Sequence, residues 1–141
     1  MLKVLVPVDG SANSDRVIDH LIAARDRDVP MDIHLLNVQI PVTSGHVKMF
    51  VRQEDIDAYY REEGLDALKS AREKLERAGI PYHHHIAVGH VGETIANYAR
   101  EHGFDRIVMG THGRSAMTNL LLGSVATEVV HRAEVPVMLV K

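Results

Sequence analysis

The chain has 141 residues, 45% of them apolar and 25% charged, with a net charge of −3 and no cysteine. One domain with its own apolar core is expected over residues 1–141, with no need of a metal or disulfide staple. The acidic balance excludes a general nucleic-acid binder, and the missing thiols exclude disulfides, thiolate metal centres and cysteine nucleophiles.

Residues 2–8 read as a strand buried on both faces, because Leu2, Val4, Leu5, Val6 and Val8 leave little room for a solvent side. The same opening is too short an apolar run for a signal peptide or a spanning helix, so a cytoplasmic protein without membrane contact is expected. Asp9-Gly10-Ser11 ends the strand. A helix follows over about 14–28, with Val17, Ile18, Leu21 and Ile22 on one face. Residues 32–39 form a second strand, and 40–53 a long loop in which Met49-Phe50-Val51 could close over a ligand or pack on the next helix.

A long helix is expected over about 54–78, where Leu68, Ala71, Leu75 and Ala78 recur at helical spacing and Gly79 stops it. Gly64 weakens the case for its continuity. Residues 82–88 are a third strand, 92–102 a helix, 105–109 a fourth strand, 124–132 the last helix and 135–140 the last strand. The βαβαβαβαβ order implies one doubly wound, five-stranded parallel sheet of α/β, Rossmann-like type with helices on both faces. The polar third strand belongs at an edge, as it is in the strand order 3-2-1-4-5. The winding then reverses between strands one and four, where open α/β sheets bind ligands. Asp9-Gly10-Ser11 and Gly110-Thr111-His112-Gly113 fall there.

The strongest chemical signal is Gly110-Thr111-His112-Gly113-Arg114-Ser115 followed by Gly123-Ser124. A phosphate needs several backbone N–H groups aimed at one point, and glycines permit close approach and positive φ. Ser124 opens a helix, whose free N–H groups and dipole favour an anion. Thr111, Ser115 and Ser124 add hydroxyls and Arg114 a guanidinium. Neither a G-x-x-x-x-G-K-[ST] loop nor a G-x-G-x-x-G turn after the first strand is present, which argues against a P-loop ATPase or a dinucleotide dehydrogenase.

The spacing Gly110-x2-Gly113-x9-Gly123-Ser124 resembles the signature of ATP-binding universal stress proteins. The opening Val6-Pro7-Val8-Asp9-Gly10-Ser11 and the ending Val135-Pro136-Val137-Met138-Leu139-Val140 are similar to that family too. The resemblance implies that Pro7, Asp9 and, through its backbone, Val38 border adenine and ribose. It implies that Gly110, Thr111, His112, Gly113 and Arg114 wrap the phosphates, with Ser115 beside them, and that Gly123, Ser124 and Val125 close the cradle. ATP, ADP or AMP is the implied ligand, with Mg2+ a companion that Asp9 could hold. A stress-response regulator is the expected role. A slow ATPase or adenylate-transferring enzyme and a nucleotide-free interaction module are the alternatives. No assembled general base is recognisable, so rapid turnover is not expected. Electron-transfer flavoproteins resemble this fold as well.

His83 and His85 share one face of the third strand while His84 points oppositely. No third metal ligand stands nearby in the sequence, so an exposed edge strand is expected and no metal site. The apolar last strand at the opposite edge calls for cover, and a homodimer through residues 135–140, which the resemblance also implies, would supply it.

Overall fold

The computed structural model of the protein describes residues 1–25, 30–42, 52–113 and 121–141. The elements in chain order are β1 (Leu2–Pro7), α1 (Ala12–Ala24), β2 (Met31–Gln39), α2 (Gln53–Arg77), β3 (Tyr82–Val88), α3 (Val91–Glu101), β4 (Arg106–Gly110), α4 (Ser124–Arg132) and β5 (Val137–Val140). All pairings are parallel, and the sheet order is β3-β2-β1-β4-β5, as the polarity of the strands implies. Among the described residues no helix is long and apolar enough to cross a membrane.

Strand alternation divides the core in two. Val4 and Val6 of β1 face α1 and α2, packing with Ile18, Leu21, Leu68 and Leu75. Leu5 points the other way, toward α3 and α4, with Leu36, Ile95, Phe104, Ile107 and Val129. Each such side chain, fully withdrawn from water, contributes roughly 1.5–3 kcal/mol of transfer free energy. The central position of β1 follows from this arrangement, because only an interior strand can bury both faces.

Several boundaries differ from the sequence expectation for identifiable reasons. Helix α1 starts at Ala12 because Ser11, with extended φ and ψ of −83° and 168°, is its N-cap and accepts from the Ser14 N–H. The expected continuation to residue 28 runs into 26–29, which lie outside the described residues. Strand β5 is only four residues long. Val135 and Pro136 precede it: Pro136 has no N–H for the ladder, although its carbonyl accepts from the Ile107 N–H at 2.9 Å. Helix α2 runs unbroken through Gly64, which is buried against β3. A Cβ there would stand 2.7–2.9 Å from three side-chain carbons of Ile86, so glycine sets how closely α2 approaches the sheet.

Candidate functional site

The carboxyl ends of β1, β2 and β4 open into a cavity of about 730 Å³ that reaches across to α2 and the start of α3. That volume lies in the range of small-molecule sites. Its floor is made by strand ends, and its rim by the two turns that the sequence singles out.

The first turn is held tightly. Asp9 Oδ1 accepts from the Ser11 N–H at 2.9 Å and from the Ser14 hydroxyl at 2.7 Å. The Asp9 N–H donates back to Ser14 Oγ at 3.0 Å. Gly10 sits at φ 83°, the left-handed region that glycine enters without strain, and so reverses the chain between β1 and α1. The carboxylate is thereby fixed at the cavity mouth instead of swinging into water.

The second turn leaves β4 at Gly110. The Thr111 N–H donates to the carbonyl of Val140 in β5 at 3.2 Å, and its own carbonyl accepts from the Gly123 N–H at 2.6 Å. The two ends of the 110–123 segment are therefore tied together. Close approach, not positive φ, explains the glycines. Among the described residues positive φ occurs at Gly10, Gly79 and Gly103, not at Gly110, Gly113 or Gly123. A Cβ on Gly113 would meet Asp9 Oδ2 at 2.7 Å, and one on Gly123 would meet the Thr111 carbonyl and His112 Cα at 3.2 and 3.3 Å. Gly123, with φ and ψ of −70° and 168°, is the N-cap of α4, and no side chain caps that helix. Ser124 is thus the first helical residue, and the N–H groups of the first turn of α4 stand at the cavity.

Pro7, Asp9, Val38, Gly110, His112, Gly113, Gly123, Ser124 and Val125 all line this one space. Thr111 is not among the lining residues; its hydroxyl lies 3.1 Å from His112 Nδ1. Arg114, Ser115 and the Met49-Phe50-Val51 cluster lie outside the described residues. The lining also includes residues that sequence reasoning missed. Asn37 is buried, donates to the Val8 carbonyl at 2.8 Å and accepts from Gln39 at 2.6 Å, joining the ends of β1 and β2. Tyr59, Glu63 and Asp66 project from α2. A polar residue inside the apolar run of β2 was the available signal for Asn37. Glu63 and Asp66 gave none, since exposed acidic residues on a helix are ordinary.

The whole chain, residues 1–141, matches the universal stress protein family. The chain belongs to that family. It is 32% identical to universal stress protein MJ0531 of Methanocaldococcus jannaschii, over 99% of this chain and 81% of the relative. Among solved structures, that of MJ0577, a universal stress protein of the same organism, superposes with a TM-score of 0.82 at 28% identity, covering 99% of this chain and 95% of the other. The universal stress protein of Archaeoglobus fulgidus in complex with dAMP superposes with a TM-score of 0.66 at 26% identity, covering 100% and 98%. The doubly wound sheet is thus shared with other universal stress proteins along the full length of the chain.

Proposed function

We propose that this universal stress protein binds an adenine nucleotide, ATP above all, in the cavity at the switch point, and acts as a cytoplasmic stress-response regulator whose state follows occupancy. The observation that carries the proposal is the convergence of the glycine turn and the uncapped start of α4 on one cavity. Backbone N–H groups and a helix dipole directed at one point favour a phosphate. The dAMP complex of the relative from Archaeoglobus fulgidus supports the choice of an adenine nucleotide. In this reading Pro7 and Val38 flank the base and ribose. Gly110, His112 and Gly113 surround the phosphates, and Gly123, Ser124 and Val125 close over them.

The described lining carries three carboxylates, Asp9, Glu63 and Asp66, and neither lysine nor arginine. A triphosphate brought beside them adds like charge, which a divalent cation offsets. Mg2+ held near Asp9 is therefore part of the proposal. Titration calorimetry tests it: ATP with Mg2+ should bind with Kd of micromolar order, about −8 kcal/mol, and more weakly without the cation. No heat from ATP, ADP or AMP at millimolar concentration would refute nucleotide binding at this cavity.

The apolar edge supports a second part. Strand β5 ends the sheet, and Met138 on it is 38% exposed. We propose that two copies pair antiparallel through residues 137–140, each covering the other's edge. Light scattering should find a dimer at micromolar concentration, and Met138→Lys should yield monomers that still bind nucleotide. A wild-type monomer under those conditions would exclude this pairing.

A further inference from the structure

The histidines of β3 acquire partners that the linear sequence does not reveal. Parallel pairing of β2 with β3 sets His34 opposite His83 and Leu36 opposite His85, so all four side chains share one face. The ring of His34 lies between those of His83 and His85, with centroids 4.4 and 5.2 Å away and planes inclined by 22° and 3°. The edge of Phe104 meets it at 5.0 Å. Asp32, one alternation before His34, sets Oδ2 3.0 Å from His34 Nε2 and Oδ1 3.6 Å from His83 Nε2. One ligand atom from each of Asp32, His34 and His83 lies within 4.8 Å of the others.

We propose that Asp32, His34 and His83 form a binding site for a divalent first-row transition ion of the zinc type. Zinc bonds to imidazole nitrogen and carboxylate oxygen are about 2.0–2.2 Å, which places tetrahedral ligands roughly 3.3 Å apart. The observed spacings of 3.0 and 3.6 Å, one from each oxygen of Asp32, lie near that value, and rotation of the exposed His83 brings its nitrogen toward the shared oxygen. Two imidazoles and one carboxylate select zinc-like ions over Mg2+ and Ca2+, which take oxygen ligands, and the absence of thiolate removes the soft-metal alternatives. Water completes the coordination, because the site is open: the side chains of Asp32 and His83 are 34% and 63% exposed. His34 is the fixed ligand and His83 the one free to adjust.

His85 supports the site through hydrogen bonding. Its Nε2 lies 2.9 Å from His34 Nδ1. One of these two nitrogens donates and the other accepts, so the tautomer of His34 is set by His85. When His34 Nδ1–H donates to His85, His34 Nε2 carries a lone pair directed at the Asp32 carboxylate, and a cation can take the place of the proton between them. Without the ion, the relay runs the other way: His85 donates to His34, and His34 Nε2–H donates to Asp32. Metal therefore replaces a proton and leaves the polar chain satisfied, the usual partnership of a ligating histidine with a hydrogen-bonded neighbour.

The site lies at the amino end of β2, whereas Val38 and Gln39 at its carboxyl end line the cavity. The nearest lining residue of β2 is Leu36, two to four residues away, roughly 7–13 Å at about 3.3 Å per residue, and neither Asp32, His34 nor His83 is among the cavity's lining residues. Calorimetric titration of untagged, chelator-washed protein with ZnCl2 tests the site. One zinc per chain should bind with Kd of micromolar order, and His83→Gln and Asp32→Asn should each weaken binding at least about tenfold. His84→Gln, on the opposite face, should leave it within about threefold. Because His83 is exposed, its variant keeps the fold even if Asp32→Asn does not. No heat at 1:1 stoichiometry, undiminished binding by His83→Gln, or an equal loss with His84→Gln would each overturn the assignment.

Discussion

The two ends of the sheet are assembled by different means. At the carboxyl end, the cavity gathers residues from β1, β2, β4, α2, α3 and α4, and backbone shape dominates: a left-handed Gly10, the absent Cβ atoms of Gly113 and Gly123, and a helix start without a side-chain cap. At the amino end, Asp32, His34, His83 and His85 come from two adjacent strands, and side-chain chemistry dominates, set by register alone. A cavity made by backbone fails when space is filled. A cluster made by register fails when one donor is removed, or when the strand that carries it shifts.

That contrast can be broken at several points. The largest effect is expected from Gly123→Val, whose Cβ would press on backbone atoms of Thr111 and His112 that have no rotamer to yield. Nucleotide affinity should fall by about 100-fold or more, close to 3 kcal/mol, while the zinc titration is unchanged. Equal ATP binding by this variant would show that the phosphates lie elsewhere. A smaller effect is expected at Gly64. Alanine is favoured over glycine in a helix by about 1 kcal/mol, so a surface reading predicts stabilisation. Contact with Ile86 reverses the sign: Gly64→Ala should lose about 1–2 kcal/mol to overpacking and lower Tm by roughly 3–8 °C. A raised Tm would mean that α2 lifts off β3 freely. The smallest effect is expected from Ser14→Ala. It removes the hydroxyl that anchors Asp9 and should lower stability by about 0.5–1 kcal/mol. Nucleotide binding should weaken about fivefold and zinc binding should not change, as parallel titrations would measure.

The order of the strands was legible because polarity separates them: Leu5 is buried and must lie centrally, whereas three consecutive histidines tolerate only an edge. The two glycine turns were legible from their spacing, since Gly110, Gly113 and Gly123 stand apart from neighbouring strand and helix patterns. What they do locally was not. The sequence suggested positive φ for these glycines, but the space they leave for Asp9 and for residues 111–112 is a long-range property. Glu63 and Asp66 looked like any solvated helix face, because nothing local says that α2 leans over the ends of β2. Asp32 and His34 escaped notice for a related reason. Their distance in sequence from His83 is closed only by the register of β2 on β3, which no pattern within either strand specifies.

The pairing of β1 with two strands so distant in the chain also sets when each neighbour becomes available during synthesis. β1 meets β2 within the first 39 residues, and β3 joins by residue 88, which completes the imidazole cluster. Its other neighbour, β4, begins only at Arg106, where the Asp105 N–H donates to the Lys3 carbonyl at 2.8 Å. Of the strand pairings in the sheet this one spans the longest stretch of sequence. During synthesis from the amino terminus, the three-stranded half emerges with one edge of β1 unpaired and its apolar Leu5 face uncovered until α3 and β4 arrive. The interval between those two moments is when a nascent chain of this protein is most exposed to aggregation, and when a chaperone would have most to hold.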